Sequence, residues 1–257
     1  MPIASELFYS LHQGSELETP TVVLLHGAGG NHLYWPAEIR RLPRHRVLAL
    51  DLPGHGKSEG IGQQSIQAYA DIVLEWLLSL DLPKAVFLGH SMGAAIALTL
   101  ALHQPECVLG LGLLSAGARL PVPADILADL VSSTTFHKAI EAIRVLAFSA
   151  STDPRLIELA IGRMAEIRPS VLYSDFLACE SFNMVDQLSQ IRQPALILCG
   201  AEDAITPPRH SQLLAGLLPN ARLEIVDRAG HMVMLEQPQT VASLLSQFLD
   251  SIPYMAG

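Results

Sequence analysis

The segment Gly89-His90-Ser91-Met92-Gly93 sets a serine between two glycines, directly after the apolar run Ala85 to Leu88 and directly before the helix-forming run Ala94 to His103. A strand that reverses at once into a helix leaves no room for side chains beside the turn. Glycines therefore flank the serine, whose own backbone is forced into a strained conformation. The turn pushes the hydroxyl into the open, and the helix start behind it offers an unpaired N–H, that of Met92, beside any negative charge developing there. The chemistry this suits is nucleophilic attack on an acyl carbon. Taken alone, five residues of this pattern also make a plain glycine-rich turn; the strand and helix around them favour the nucleophile.

A serine hydroxyl attacks poorly unless a base takes its proton, and the base must be oriented by a carboxylate. His231, in Arg228-Ala229-Gly230-His231-Met232, follows the strand-like run Arg222 to Val226 and precedes the last helical run, so its loop emerges at the same sheet edge as Ser91. His90 and His26 are the rivals. The first would point away from the serine on a tight turn, and the second is better placed to brace its own loop by hydrogen bonding. Among the acids, Asp203 follows the run Ala195 to Cys199 and precedes Thr206-Pro207-Pro208, where a helix can start. Asp227 is better read as a turn residue and Glu202 as a solvated neighbour. The order Ser91, Asp203, His231 is serine, acid, histidine. The oxyanion needs a second donor, and His26-Gly27-Ala28-Gly29-Gly30, after the run Thr21 to Leu25, has too few side chains to shield its N–H groups. Ala28 is the first choice and Gly29 the second, against the plainer reading of a glycine-rich turn.

Other motifs fail. Gly56-Lys57-Ser58 resembles the end of a phosphate-binding loop, but the required first glycine falls at Asp51. Gly27-Ala28-Gly29 lacks the third glycine of a dinucleotide fingerprint, because position 32 is histidine. No H-E-x-x-H or other metal spacing occurs, so neither a cofactor nor a metal is implied. Cys107, Cys179 and Cys199 form no C-x-x-C and read as buried thiols of a reducing compartment.

The elements that must position these residues alternate. Thr21 to Leu25, Arg46 to Leu50, Ala85 to Leu88, Val108 to Leu114, Ala195 to Cys199 and Arg222 to Val226 are short, near-continuous apolar runs, as in a parallel sheet covered on both faces. Ser65 to Leu80 and Gln237 to Ile252 carry apolar residues at helical spacing. The alternation breaks once, between about Arg119 and Gln193, where helical runs such as Ile126 to Val131 and Ala139 to Phe148 are punctuated by Pro121, Pro123, Pro154 and Pro169. This divides the chain into a core of residues 1–118 and 194–257 and a helical cap insertion at 119–193, placed over the sheet's C-terminal edge. Met232, Trp35 and Leu33 are candidates to line the pocket beneath it, with plain core packing the competing reading.

Composition agrees. The 257 residues are 50% hydrophobic and 16% charged, which excludes disorder and suits one large globular domain. Lys and Arg total 16 against 25 Asp and Glu, giving a net charge of -9 that argues against a nucleic-acid partner. The stretch Ala85 to Pro105 lacks charged residues and is long enough to suggest a membrane span, but Gly89, His90, Ser91 and Gly93 break it into a strand, a turn and a helix. The first residues, Met1 to Leu11, have no basic segment followed by an apolar run, so a cytoplasmic protein is expected.

Together with Asp51-Leu52-Pro53-Gly54-His55-Gly56-Lys57-Ser58, these residues resemble the α/β-hydrolase superfamily, in particular its small bacterial esterase, enol-lactonase and haloperoxidase-like branch, over nearly the whole chain. The resemblance implies a mostly parallel eight-stranded sheet flanked by helices, an early antiparallel strand within Glu6 to His12, and a helical cap. It also implies Ser91 as nucleophile, His231 as base and then acid, Asp203 as the orienting carboxylate, and Ala28 and Met92 as oxyanion donors. Relatives that dehalogenate or open epoxides carry an aspartate where this chain has Ser91, and the cap offers one tyrosine, Tyr173, where epoxide opening looks for two. Proline iminopeptidases carry a tryptophan where this chain has Met92, and Trp35 and Trp76 both lie outside the cap, unlike the tryptophan of enol-lactonases. Hydrolysis of a small to medium, largely apolar carboxylic ester is the expected activity. A lactone or enol-lactone substrate is the near alternative, and a hydrolase-fold ligand receptor with little turnover the distant one.

Overall fold

A computed structural model of the chain describes residues 3–16 and 18–253. Its strands are β1 Ile3–Ala4, β2 Leu7–His12, β3 Val22–Leu25, β4 Val47–Leu50, β5 Ala85–His90, β6 Val108–Leu114, β7 Ala195–Gly200 and β8 Ala221–Val226. Its α-helices are α1 Ala37–Arg40, α2 Ile66–Ser79, α3 Met92–His103, α4 Ala124–Leu130, α5 Phe136–Ala147, α6 Pro154–Ala165, α7 Pro169–Ser181, α8 Pro208–Leu217, α9 Val233–Glu236 and α10 Pro238–Ser251. The strands form one eight-stranded sheet in the order β1-β2-β4-β3-β5-β6-β7-β8. β2 runs antiparallel to β4, as expected for the segment Glu6 to His12, and from β4 to β8 every pairing is parallel. The eighth strand is the two-residue β1, pairing antiparallel with β2.

Every residue of β3, β4 and β5 is buried, which is why those segments read as unbroken apolar runs. Successive side chains still part to opposite faces. Val23, Leu25, Phe87 and Ile197 join the core formed with Tyr69, Val73 and Trp76 of α2, the α3 residues and Leu214 of α8. Val22, Leu24, Val86, Leu88, Leu196 and Leu198 join the opposite core, with Ile39 of α1 and Val241, Leu245 and Phe248 of α10. Edge strand β8 is the least buried of the long strands, with only Val226 buried. Two strands run further than the apolar pattern suggested, since His90 still pairs with Leu114 and Gly200 with Val226.

Between β6 and β7 come α4, α5, α6 and α7. The two ends of this stretch meet where Arg119 bridges Asn183 and the Met184 N–H donates to the Ala118 carbonyl at 2.9 Å. Pro154 and Pro169 each stand at the start of a helix, where a missing N–H costs nothing. The uncharged stretch from Ala85 resolves into β5, the Ser91 turn and α3, and no helix among the described residues is long and apolar enough to cross a membrane.

Candidate active site

Ser91 leaves β5 at φ 52° and ψ -114°, a left-handed backbone that a residue with a Cβ adopts only under strain. Hydrogen bonds hold it there: its N–H donates to the Leu114 carbonyl at 2.9 Å, and its carbonyl accepts from Ala94 at 2.9 Å and Ala95 at 3.2 Å. The flanking glycines are demanded by close backbone approach. A Cβ on Gly89 would lie 2.3 Å from the Gly93 carbonyl oxygen, and one on Gly93 would lie 2.1 Å from that of Leu25. α3 therefore rests directly on the end of β3, bringing Ser91 beside the His26 to Gly30 loop.

His231 and Asp203 meet behind that turn. The imidazole Nδ1 lies 3.0 Å from Asp203 Oδ2 and 3.1 Å from Oδ1, with both side chains almost fully buried. The carboxylate also accepts from the Ile205 N–H at 3.0 Å, the Thr206 N–H at 2.8 Å and the Thr206 hydroxyl at 2.9 Å. Burial alone would raise the Asp203 pKa; the neighbouring His231 and the Thr206 bonds outweigh it and hold the carboxyl below its ordinary range. A carboxylate at Nδ1 keeps the proton on that nitrogen and leaves Nε2 with the lone pair a base needs. Asp227 is an exposed turn residue.

The rival histidines have other tasks. His90 Nε2 donates to the His231 carbonyl at 2.9 Å, and the Ser115 hydroxyl donates to the same oxygen at 2.8 Å. Burial, with His231 close by, pulls the His90 pKa down to about 3, so its ring stays neutral. His26 braces its loop: Nε2 accepts the Leu52 N–H at 3.0 Å, which leaves Nδ1 to donate to the Gly27 carbonyl at 2.8 Å. Complete burial brings its pKa down to about 4. Of the two candidate loop donors, Gly29 is already committed, donating to Asp175 Oδ2 at 2.9 Å. Among the described residues neither the Ala28 nor the Met92 N–H is used in a hydrogen bond.

Several supporting residues carry no mark in the sequence, because the side chains they serve are brought together only by the fold. Thr206 and Ser115 are two. Glu236 is a third: Oε1 accepts the Gly230 N–H at 2.9 Å, and Oε2 accepts the Ser149 N–H at 2.8 Å and the Thr152 hydroxyl. Burial raises its pKa despite those bonds. Glu202 is exposed, as expected, yet its Oε2 accepts from the Ser149 hydroxyl at 2.7 Å and the Ala150 N–H at 3.2 Å. Glu236 thus ties the segment after α5 to the loop carrying His231 and Glu202 ties it to the loop carrying Asp203, and the Met232 N–H reaches the Ala147 carbonyl at 3.2 Å.

Gly27, Ala28, His90, Ser91, Thr206, His231 and Met232 line a cavity of about 130 Å³. Leu120, Val122, Ile126, Ile143, Leu146, Phe148, Ile161, Met164, Phe176 and Cys179 line it too, all from the stretch between β6 and β7. Among the described residues no Asp, Glu, Lys or Arg contributes to the lining. Met232 lines it as anticipated, whereas Trp35 is fully buried in the core, Leu33 is partly exposed, and Tyr34 between them reaches the cavity. The Tyr34 hydroxyl is spent on the Ala160 carbonyl at 2.8 Å. Cys107, Cys179 and Cys199 are all free and buried, and burial raises the Cys179 thiol far above its ordinary range.

Comparison with known proteins identifies the family. The Alpha/beta hydrolase family model matches residues 22–244. A Neisseria meningitidis pimeloyl-[acyl-carrier protein] methyl ester esterase is 32% identical, covering 90% of this chain and 77% of its own. A Pseudomonas syringae protein named "Putative carbamate hydrolase RutD" is 28% identical over 96% of this chain and all of its own. A solved structure of a thermophilic esterase from Thermogutta terrifontis superposes with a TM-score of 0.85 at 25% identity, covering 95% of this chain and 93% of that one.

Proposed function

Because the chain belongs to the alpha/beta hydrolase family, we propose that it is a serine hydrolase of carboxylic esters, with Ser91 as nucleophile, His231 as base and Asp203 as its orienting carboxylate. Ser91 Oγ attacks the ester carbonyl while His231 Nε2 takes its proton. The Ala28 and Met92 N–H groups receive the oxyanion; each is without a partner among the described residues, and Met92 also opens α3, whose dipole favours negative charge. His231 then protonates the departing alcohol, and water, activated by the same imidazole, releases the acid from Ser91.

The observation that carries this reading is that Ser91, His231 and Ala28, from three distant parts of the chain, line one cavity with the Asp203 carboxylate behind the imidazole. The charge-free lining favours an uncharged, largely apolar small-molecule substrate around the reacting carbonyl. In this reading residues 119–193 form the cap over it. The three free thiols favour a reducing, cytoplasmic setting. No step calls for a cofactor or a metal.

The test is steady-state hydrolysis of a series of short to medium nitrophenyl esters by the wild type and Ser91→Ala, with γ- and δ-lactones assayed in parallel. Multiple turnovers by the wild type, reduced at least ~100-fold by the substitution, are expected. Turnover indifferent to Ser91 overturns the reading, and faster opening of lactones than of matched esters moves the substrate class to lactones.

A further inference from the structure

A second buried aspartate–histidine pair lies behind the cavity, outside the proposed chemistry. Asp175, on α7, is fully buried and accepts three hydrogen bonds: from the Gly29 N–H at 2.9 Å, from His55 Nε2 at 2.8 Å and from the Tyr69 hydroxyl at 2.5 Å. The Tyr69 oxygen itself accepts the Gln63 N–H at 2.9 Å, so its proton is directed at Asp175. His55 is also fully buried, and its other nitrogen, Nδ1, lies 3.0 Å from the Pro53 carbonyl oxygen. Both His55 nitrogens thus face acceptors, an arrangement satisfied by imidazolium against carboxylate. Burial opposes that charge, but the Asp175 carboxylate overrides it and raises the His55 pKa above its ordinary value.

An ion pair buried this deeply is poor value as a source of stability, because desolvating both charges cancels most of their attraction. What this one does is geometric. It joins α7, the Asp51 to Ser58 loop and the loop after β3, where Asp175 accepts the N–H of the residue that follows Ala28 and the His55 ring packs tilted against that of His26, centroids 4.8 Å apart. Asp175 does not line the cavity, although Phe176 and Cys179 do. It cannot act by touching a substrate there.

We propose that Asp175, paired with His55, is a positioning residue: by holding the Gly29 N–H it fixes the Ala28–Gly29 peptide plane and, through it, supports the neighbouring Gly27–Ala28 plane, whose carbonyl accepts from Gly30 and His26, so that the Ala28 N–H is aimed at the oxyanion. The proposal rests on the esterase reading above. A donor fixed in advance stabilises the transition state without reorganising at the moment of reaction, so the contribution falls on kcat and not on substrate binding.

The experiment compares wild type, Asp175→Asn and Tyr69→Phe on the best nitrophenyl ester. It also measures inhibition by a trifluoromethyl ketone, whose adduct with Ser91 carries an oxyanion, and by the matching secondary alcohol, which does not. Asp175→Asn is expected to lower kcat ~10- to 100-fold with KM within about twofold, and to weaken the ketone by the same factor while leaving the alcohol unchanged. Tyr69→Phe, which keeps the ion pair and removes one bond to Asp175, is expected to show the same pattern at about threefold, and decides the matter alone if Asp175→Asn does not fold. An unchanged kcat in a folded variant, or equal losses for ketone and alcohol, overturns the positioning role while leaving the esterase standing. A wild type that turns over no ester overturns both.

Discussion

Thr206 makes a prediction possible at the scale of one hydroxyl. Its Oγ1 donates to Asp203 Oδ2 at 2.9 Å and lies 3.2 Å from His231 Nδ1, so it closes a triangle around the proton that sets the histidine tautomer. Thr206→Val removes that donor but keeps the Thr206 and Ile205 N–H bonds to Asp203 Oδ1, so the carboxylate stays in place with one charge-assisted bond fewer. Such a bond contributes ~1.5–3 kcal/mol, and a kcat about 10-fold below wild type is expected with little change in KM. Asp203→Asn should cost far more, at least ~100-fold, because an amide facing Nδ1 permits the tautomer whose proton sits on Nε2, where the lone pair is needed. Single-turnover kinetics beside urea midpoints separate the two effects from unfolding, and a Thr206→Val kcat equal to wild type would exclude the triangle from the chemistry. Ser91, His231 and Asp203 stand out in the sequence as candidates because each follows a strand-like run at a turn. Ser115 and Asp175 do not, since bonds across 116 and 146 positions leave no mark on a local pattern, and Thr206, though it bonds Asp203 three residues away, reads there only as a helix entry until the fold brings His231 to it.

The elements are held apart by different amounts, and glycine reports where. Gly93 lets α3 approach the end of β3 until its Cα position would put a Cβ 2.1 Å from a backbone oxygen, which cannot yield as a flexible side chain can. Gly93→Ala must therefore lift α3 and the Ser91 turn away from Ala28, and an activity loss of more than ~10-fold together with lower stability is expected. Gly162, inside α6, meets nothing within 4 Å, so Gly162→Ala gains only the helix propensity of alanine. It should raise stability by about 0.5–1 kcal/mol with unchanged kcat. Thermal midpoints of the two variants test the contrast; an inert Gly93→Ala would mean that the helix start is free to move. Strands buried on both faces were legible as apolar runs, and β3 to β6 fall where expected for that reason. Their ends were less so, because Gly89, His90 and Gly200 look like breakers but continue the pairing. β1, two residues long, carries no period to read.

For the whole molecule, the buried histidines set the acid limit. His26 and His90 are completely buried with pKa values of about 4 and about 3, against 6.5 for an unfolded histidine. Below pH 6.5 the unfolded chain takes up two protons that the folded chain refuses until about pH 4 and pH 3, so unfolding gains free energy as pH falls. His55 and Glu236, both raised, act in the opposite sense: their contribution is complete below the unfolded value and is lost as pH rises through the folded one. They offset part of the loss. Asp51 and Asp203, both lowered, keep their contribution until pH falls below the ordinary carboxylate value, outside this window. His45 and His210, also lowered, act with His26 and His90, and those last two alone amount to roughly 3–4 kcal/mol of destabilisation between pH 7 and pH 5, well before any carboxylate pair is broken. Trp35 and Trp76 are fully buried and report unfolding directly by fluorescence. Urea midpoints at pH 7, 6 and 5 should fall steadily, and His26→Asn, an uncharged side chain in the same place, should shrink the fall relative to its own value at pH 7. Midpoints that stay level from pH 7 to 5 would mean that the two imidazoles find water or a partner on protonation, and that the core behind the candidate site opens more readily than its burial implies.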